Sequence, residues 1–491
     1  MAKAIMVQGT MSNAGKSLLC AGLCRVFRQD GYKVAPFKSQ NMALNSFITK
    51  DGFEMGRAQA VQAEAAGVEP SVYMNPILLK PITNMGSQVI VMGETRGEMR
   101  ARAYYAMKHT LVPEIMAAFD ALAAAHDIIV IEGAGSPAEL NLKKGDFVNM
   151  GMAKLAKAPV LLVGDIDRGG VFAQLYGTVA LLDADERDMV KATIVNKFRG
   201  DVTLFQNGIS MLEELTGKPV AGVMPYLDVD IDDEDSLSDR LTRTDATAVL
   251  DIAVVRLPRI TNFTDFAALE ATGGIGVRYV HAPKELGAPD LLILPGTKNA
   301  VADMKWLRES GLEAAIKKRV AQDMPVIGIC GGYQMLGARI ADPDGAINGM
   351  ELLPTTTEMT GQERRSRGAG KLREIGGALA ALSGASVEGY EILAGRNLPH
   401  AGTEALIQLE NGATDGCQNG SVYGTNLHGF FDSASCRERL IGALCARKGV
   451  TIEAGAFDLA AYRESQYDAL AQGVRENLDM KLIYEILEAG I

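Results

Sequence analysis

Short apolar runs alternate with longer stretches of helical periodicity through the first half of the chain. Ala4–Gln8, Lys33–Phe37, Asp127–Glu132, Pro159–Gly164, Ala192–Asn196 and Val220–Val223 read as strands. Between them, Lys16–Gln29, Glu54–Ala66, Glu98–Ala125 (bent near Pro113), Phe147–Lys154, Val171–Leu182 and Thr203–Thr216 read as helices. Strands bounded by Gly or Pro and separated by helices predict a mainly parallel sheet covered on both faces. The pattern breaks at Asp228-Val229-Asp230-Ile231-Asp232-Asp233-Glu234-Asp235-Ser236, which is too acidic for a core and reads as a surface linker, with a metal or substrate role as the alternative.

After residue 250 the alternation restarts. Ile252–Leu257, Leu291–Leu294 and Val326–Ile329 read as strands, Val301–Glu309 and Leu312–Ala321 as helices. Residues 340–425 are Gly-rich with short β-like pieces such as Ser421–Thr425, and from Phe457 onward the chain is helical and amphipathic. The expected organisation is two α/β domains, 1–235 and 250–445, followed by a C-terminal helical segment, 446–491.

At 491 residues the chain is too long for one core of ordinary size. Net charge is −11 with no long basic run, so nucleic acid is not an expected partner, and an anionic substrate needs a local cation or helix N-terminus. The six cysteines form no Cys-x-x-Cys pair and no zinc spacing, the pattern of a reducing compartment. No uncharged run approaches the roughly 20 residues that span a bilayer. A cytoplasmic protein without a membrane partner is expected; oligomeric state is left open.

Gly9-Thr10-Met11-Ser12-Asn13-Ala14-Gly15-Lys16-Ser17 lies between a strand and a helix. It reads as a phosphate-binding P-loop, although five residues rather than four separate its glycines. Thr10, Asn13, Gly15, Lys16 and Ser17 are the candidate contacts for ATP, with Lys16 reaching the β- and γ-phosphates and Ser17 a ligand of Mg²⁺. Glu132 ends a buried strand, where open parallel sheets collect ligands, and is the second candidate for Mg²⁺. Asp146 either caps the next helix or acts near the acid being activated. Lys38 and Lys80 are further candidates for phosphate or carboxylate charge, as is Arg168 if it is not simply a surface residue.

Gly328-Ile329-Cys330-Gly331-Gly332 reads as a nucleophile elbow carrying a thiol. The Gly331 amide would form half of an oxyanion hole and the turn Leu294-Pro295-Gly296-Thr297-Lys298-Asn299 the other half. Of five histidines, His428 follows a strand-like piece and is the candidate base. Gln334, four residues after Cys330, is a candidate substrate contact. Cys20 and Cys24 share a helix face and read as small core residues.

These segments, together with Ser39–Ser46, Gly56–Gln59, Asn75–Pro81, Val148–Ala153, Asp165–Ala173, Asn196–Asp201, Asp233–Ser238 and Gly424–Phe431, resemble the cobyric acid synthase family of cobalamin biosynthesis in one continuous order. The resemblance implies an N-terminal domain like dethiobiotin synthetase and a C-terminal class I glutamine amidotransferase-like domain. It implies ATP- and Mg²⁺-dependent amidation, with glutamine as nitrogen donor, of the b, d, e and g carboxylates of adenosylcobyrinic acid a,c-diamide. It assigns Lys16, Ser17 and Glu132 to the nucleotide–Mg²⁺ site, Cys330 and His428 to the glutaminase site, and Asp146 to the neighbourhood of the corrinoid. The alternatives are amidation of the a and c carboxylates of cobyrinic acid, or a nucleotide-driven switch ATPase with a decayed amidotransferase domain.

Three positions depart from the patterns of related enzymes. Phe430 stands where class I amidotransferases carry the Glu of His-x-Glu, a gap the resembled family shares, so any carboxylate orienting His428 must come from elsewhere. Thr297 replaces a second Gly in the oxyanion turn, and Leu393 stands where the family pattern has His.

Overall fold

The computed structural model describes residues 2–83, 86–232, 248–342, 345–452 and 457–491. These form two compact units, each discontinuous in sequence. The first comprises Met1–Ala43, Phe53–Asp232 and Ala461–Ile491; the second comprises Leu44–Gly52 and Asp233–Ala460. Residues 233–238, which carry the end of the acidic stretch and one family segment, lie outside the described residues.

All six strands expected in the first half are present and form one sheet. Its order is Val220–Pro225, Val190–Phe198, Val160–Asp165, Lys3–Gly9, Ile128–Glu132 and Val34–Phe37, every neighbouring pair parallel. Parallel strands buried on both faces need near-continuous apolar residues, which is why these runs stood out. Ile5, Val7, Val130, Leu161, Val163 and Ile194 join the apolar face of helix Lys16–Gln29 in one core. The first unit also has a four-stranded sheet that the sequence reading missed, ordered Gln40–Met42, Ile77–Thr83, Gly86–Val91 and Glu94–Arg100. Two expected helices start later than expected beside it. Glu54–Gly56 is a strand, leaving the helix to begin at Arg57, and Glu94–Arg100 pairs with Gly86–Val91, so helices begin only at Ala101 and Val112. Alternating polar residues in Glu94–Arg100 are exposed, and ladder pairing rather than apolar burial holds the strand.

In the second unit the sheet order is Ile275–Val280, Leu250–Val255, Leu291–Leu294, Val326–Ile329, Val422–Thr425 and Cys417–Asn419. Only the last pair is antiparallel. The Gly-rich region holds the expected short strands, Val422–Thr425 among them, and two long ones that were not expected: Thr355–Leu372 and Ser386–Pro399 are strands of 18 and 14 residues that pair antiparallel. The C-terminal helices Leu459–Asn477 and Met480–Ala489 bury Leu470, Val474, Ile483 and Leu487 in the core of the first unit.

Candidate active sites

In the first unit the carboxyl end of strand Lys3–Gly9 feeds the phosphate-type loop into helix Lys16–Gln29. Asn13 (φ 63°) and Gly15 (φ 94°) turn the chain into the helix. A side chain at Gly15 would be strained by that φ and would place Cβ 2.0 Å from Asn196 Nδ2. The neighbouring strand ends pin the loop. Asn196 Nδ2 donates to the Ala14 carbonyl (2.8 Å), Lys197 Nζ to the Asn13 carbonyl (2.6 Å) and Thr10 Oγ1 to Gln174 Oε1 (3.0 Å). Lys16 Nζ donates to the carbonyls of Met11 (3.0 Å) and Gly135 (3.2 Å). Thr10, Asn13, Gly15, Lys16 and Ser17 are thus brought to one place.

Glu132 is buried beside them. Its Oε1 accepts from Ser17 Oγ and Lys38 Nζ, both at 2.8 Å, and its Oε2 from Gln62 Nε2 (2.6 Å) and Gln59 Nε2 (3.3 Å). Burial alone would push this carboxyl up. The Lys38 charge and the hydrogen bonds from Lys38, Gln62 and Ser17 outweigh it and hold the group below its ordinary value, so Glu132 is an anion. Gln62 Oε1 is also buried and has no hydrogen-bond partner. A hydroxyl, an anionic carboxylate and an unsatisfied amide oxygen are hard donors suited to Mg²⁺. No group of three or more His, Cys, Asp or Glu able to hold a metal occurs among the described residues.

Asp146 and Lys80 are engaged elsewhere, and Arg168 is a surface residue. Asp146 lies three residues before Asn149, the N-cap of helix Met150–Ala156, and its carboxylate binds backbone amides leading into that helix: Oδ1 accepts from Val148 (2.8 Å) and Asn149 (3.1 Å), and Oδ2 from Gly151 (2.8 Å). Lys80 forms a buried pair with Glu54 at 2.6 Å. Cys20 and Cys24 are core residues, as expected.

In the second unit Cys330 sits between strand Val326–Ile329 and helix Gly331–Leu336 with φ 50° and ψ −109°. This is a sharp turn that a non-glycine residue adopts only at a cost in energy, and such strain concentrates at functional positions. A Cβ on Gly331 would lie 2.5 Å from Thr297 Cγ2, so the oxyanion turn packs directly on the elbow. That turn is fixed by Thr261 N donating to the Gly296 carbonyl and Lys298 N to the Arg259 carbonyl, both at 3.0 Å. Thr297 has its own task there: its hydroxyl bonds Asp303 Oδ2 (2.5 Å) and accepts from Asn299 N (3.1 Å). Gln334 is buried one helical turn beyond Cys330, its backbone N–H donating to the Cys330 carbonyl at 3.0 Å.

His428 is 1% exposed and lies within electrostatic reach of the Cys330 side chain. Its other partner was not foreseen. Asp265 Oδ2 lies 2.7 Å from His428 Nδ1, and Asp265 Oδ1 accepts from Gly429 N at 3.1 Å. Burial of the ring pushes its pKa down, but the charge and hydrogen bond of Asp265, followed by the Cys330 contact, raise it from 6.5 to about 10. Phe430 is a core residue, and the carboxylate missing from that position is supplied by a different element. The one sequence signal for Asp265 was an acid in Asn262-Phe263-Thr264-Asp265-Phe266, in the connection leaving the strand that opens the second sheet.

Tyr390 was also missed as a neighbour. Its ring stacks on His428 with centroids 5.3 Å apart and planes at 21°, while the two backbones exchange amide hydrogen bonds of 3.1 and 2.8 Å. The Cys330 thiol points to the Ile392 carbonyl at 3.5 Å. The segment containing the Leu393 departure therefore borders the thiol–imidazole pair through its backbone.

Residues 5–237 match the CobQ/CobB/MinD/ParA nucleotide binding domain, and residues 251–436 the CobB/CobQ-like glutamine amidotransferase domain. Over its whole length the chain is 56% identical to the cobyric acid synthase of Ruminiclostridium cellulolyticum, covering 98% of that protein. It is 55% identical to that of Lachnoclostridium phytofermentans, again over both whole chains. The chain belongs to the cobyric acid synthase family. The relative from Citrobacter koseri is 50% identical over 99% of each chain. As a member of the cobyric acid synthase family, the chain is a glutamine-dependent amidating ligase of cobalamin synthesis. No helix among the described residues is long and apolar enough to cross a membrane.

Proposed function

We propose that the chain amidates the b, d, e and g carboxylates of adenosylcobyrinic acid a,c-diamide, using ATP with Mg²⁺ and ammonia released from glutamine. The observation that carries this reading is the line Cys330–His428–Asp265 at a strand end, in a chain that also assembles Lys16, Ser17 and Glu132 around a phosphate-type loop. Proton exchange between Cys330 and His428 prepares the sulfur as the nucleophile. That sulfur attacks the side-chain carbonyl of glutamine, a C–S bond forms, and the C–N bond breaks as His428 returns its proton to the departing ammonia. Water then hydrolyses the thioester to glutamate. Asp265 holds the imidazole in orientation and offsets its charge, and the Gly331 amide and the 294–299 turn take the oxyanion.

At the other site Lys16 and the loop amides hold the triphosphate, and Ser17 and Glu132 would hold Mg²⁺. A cation held there would supply positive charge against the charge developing on the phosphoryl group. Transfer of the γ-phosphate to a corrinoid carboxylate gives an acyl phosphate and ADP; ammonia then attacks the acyl carbon, a C–N bond forms, and the C–O bond breaks as inorganic phosphate leaves. The backbone amide contacts of Asp146 argue for a structural role there, in place of contact with the corrinoid.

The test has two arms. Cys330→Ala is expected to abolish glutamine-driven turnover while free ammonia is still accepted; loss of both would count against separable sites. Mass spectrometry of the corrinoid product is expected to register four added amides, whereas two would favour the a and c carboxylates.

A further inference from the structure

The nine residues Leu44–Gly52 are flanked on both sides in sequence by the first unit, yet they belong to the second. Phe47 lies against Tyr390 with ring centroids 6.4 Å apart, and the Arg367 guanidinium stands over the Phe47 ring, 5.5 Å from its centroid. Arg367 also donates to the Ile48 carbonyl at 3.3 Å. The buried Asn262 amide joins this segment to the glutaminase site: Nδ2 donates to the Ser46 carbonyl (3.2 Å) and to the Tyr390 hydroxyl oxygen (2.7 Å), and that hydroxyl lies 3.5 Å from the same carbonyl. Asn262 is held in the left-handed region (φ 51°), in the turn that also carries Asp265. One turn therefore fixes His428 at its edge through Asp265 and over its face through Tyr390.

We propose that Tyr390 is a positioning residue for His428, and that the segment Leu44–Gly52 seats it, so that glutamine hydrolysis depends on residues contributed from within the N-terminal sequence. This rests on the glutaminase reading above. A stacked ring limits rotation of the imidazole about its Asp265 bond. Rotation would carry the opposite nitrogen away from Cys330, and about an ångström of misplacement costs on the order of 100-fold in rate. The hydroxyl matters because it ties the ring to the Asn262–Ser46 pair, which remains bonded when the hydroxyl is removed.

The experiment compares Tyr390→Phe, Phe47→Ala and the double variant in the full chain, with glutamine or with ammonium salt as nitrogen source. Tyr390→Phe keeps the ring and loses the tether. Each single variant is expected to lower glutamine-driven kcat about tenfold, with KM for glutamine within about twofold of the parent and ammonia-driven turnover unchanged. The double variant is expected to lose little more than the worse single one, since both act along one path. A Tyr390→Phe enzyme with the parent's glutamine-driven kcat overturns the proposal, as do losses that multiply in the double variant or fall equally on the ammonia-driven reaction. Failure of the underlying glutaminase reading is separately visible, because Cys330→Ala would then retain glutamine-driven turnover.

Discussion

One carboxylate sets the charge of the glutaminase imidazole. With the ring almost wholly buried, desolvation would otherwise keep His428 neutral; Asp265 reverses this and raises its pKa to about 10. In Asp265→Asn the ring stays buried and loses the anion, so its pKa falls back to its ordinary 6.5 or below. The alkaline limb of glutamine hydrolysis should move from near pH 10 to lower pH, and kcat should fall about 100-fold with ammonia-driven synthesis kept, as pH–rate profiles with each nitrogen source will read. Stability follows the same sign. A raised histidine pKa contributes stability fully below pH 6.5 and loses it as pH rises through about 10. Thermal unfolding at pH 6 and pH 10 should therefore differ more in the parent than in Asp265→Asn.

Among the elements, the long hairpin of the second unit has the largest consequence for the site. Thr355–Leu372 and Ser386–Pro399 are polar and largely half-exposed, so they carry no apolar run that periodicity could detect; pairing along the ladder specifies them instead. The hairpin brings Gly389 against the His428 backbone so closely that a Cβ there would lie 1.9 Å from the His428 carbonyl oxygen. Gly389→Ala should part the two segments, cost about 1–3 kcal/mol and depress glutamine-driven but not ammonia-driven turnover. Thermal unfolding and the paired assays test it. Local sequence was more reliable at both phosphate loop and elbow: a strand, a glycine turn and a helix start are specified within about ten residues, and Lys16, Ser17 and Cys330 stand where that pattern put them.

Across the molecule, chain order and unit membership do not coincide. The last helices return to the first unit, where Arg25 pairs with Glu464 (2.8 Å) and Asp468 (2.7 Å), and where a Cβ on Gly22 would lie 2.6 Å from Val474 Cγ2. Leu470, wholly buried, fills this contact. Leu470→Ala should cost the first unit about 2–5 kcal/mol. Differential scanning calorimetry is expected to show a lowered transition that ATP partly restores, because a ligand that binds only the folded unit stabilises it.

By itself, the sequence determined the two α/β sheets, the phosphate-type loop, the thiol elbow and the family, because each is written in contiguous residues whose spacing and backbone preferences are local. Only the tertiary structure decided that Asp265 serves His428 across 163 residues, that Tyr390 covers its ring, and that nine residues from the N-terminal sequence belong beside them. Such meetings depend on how separate elements pack, and packing leaves no periodic trace in either partner.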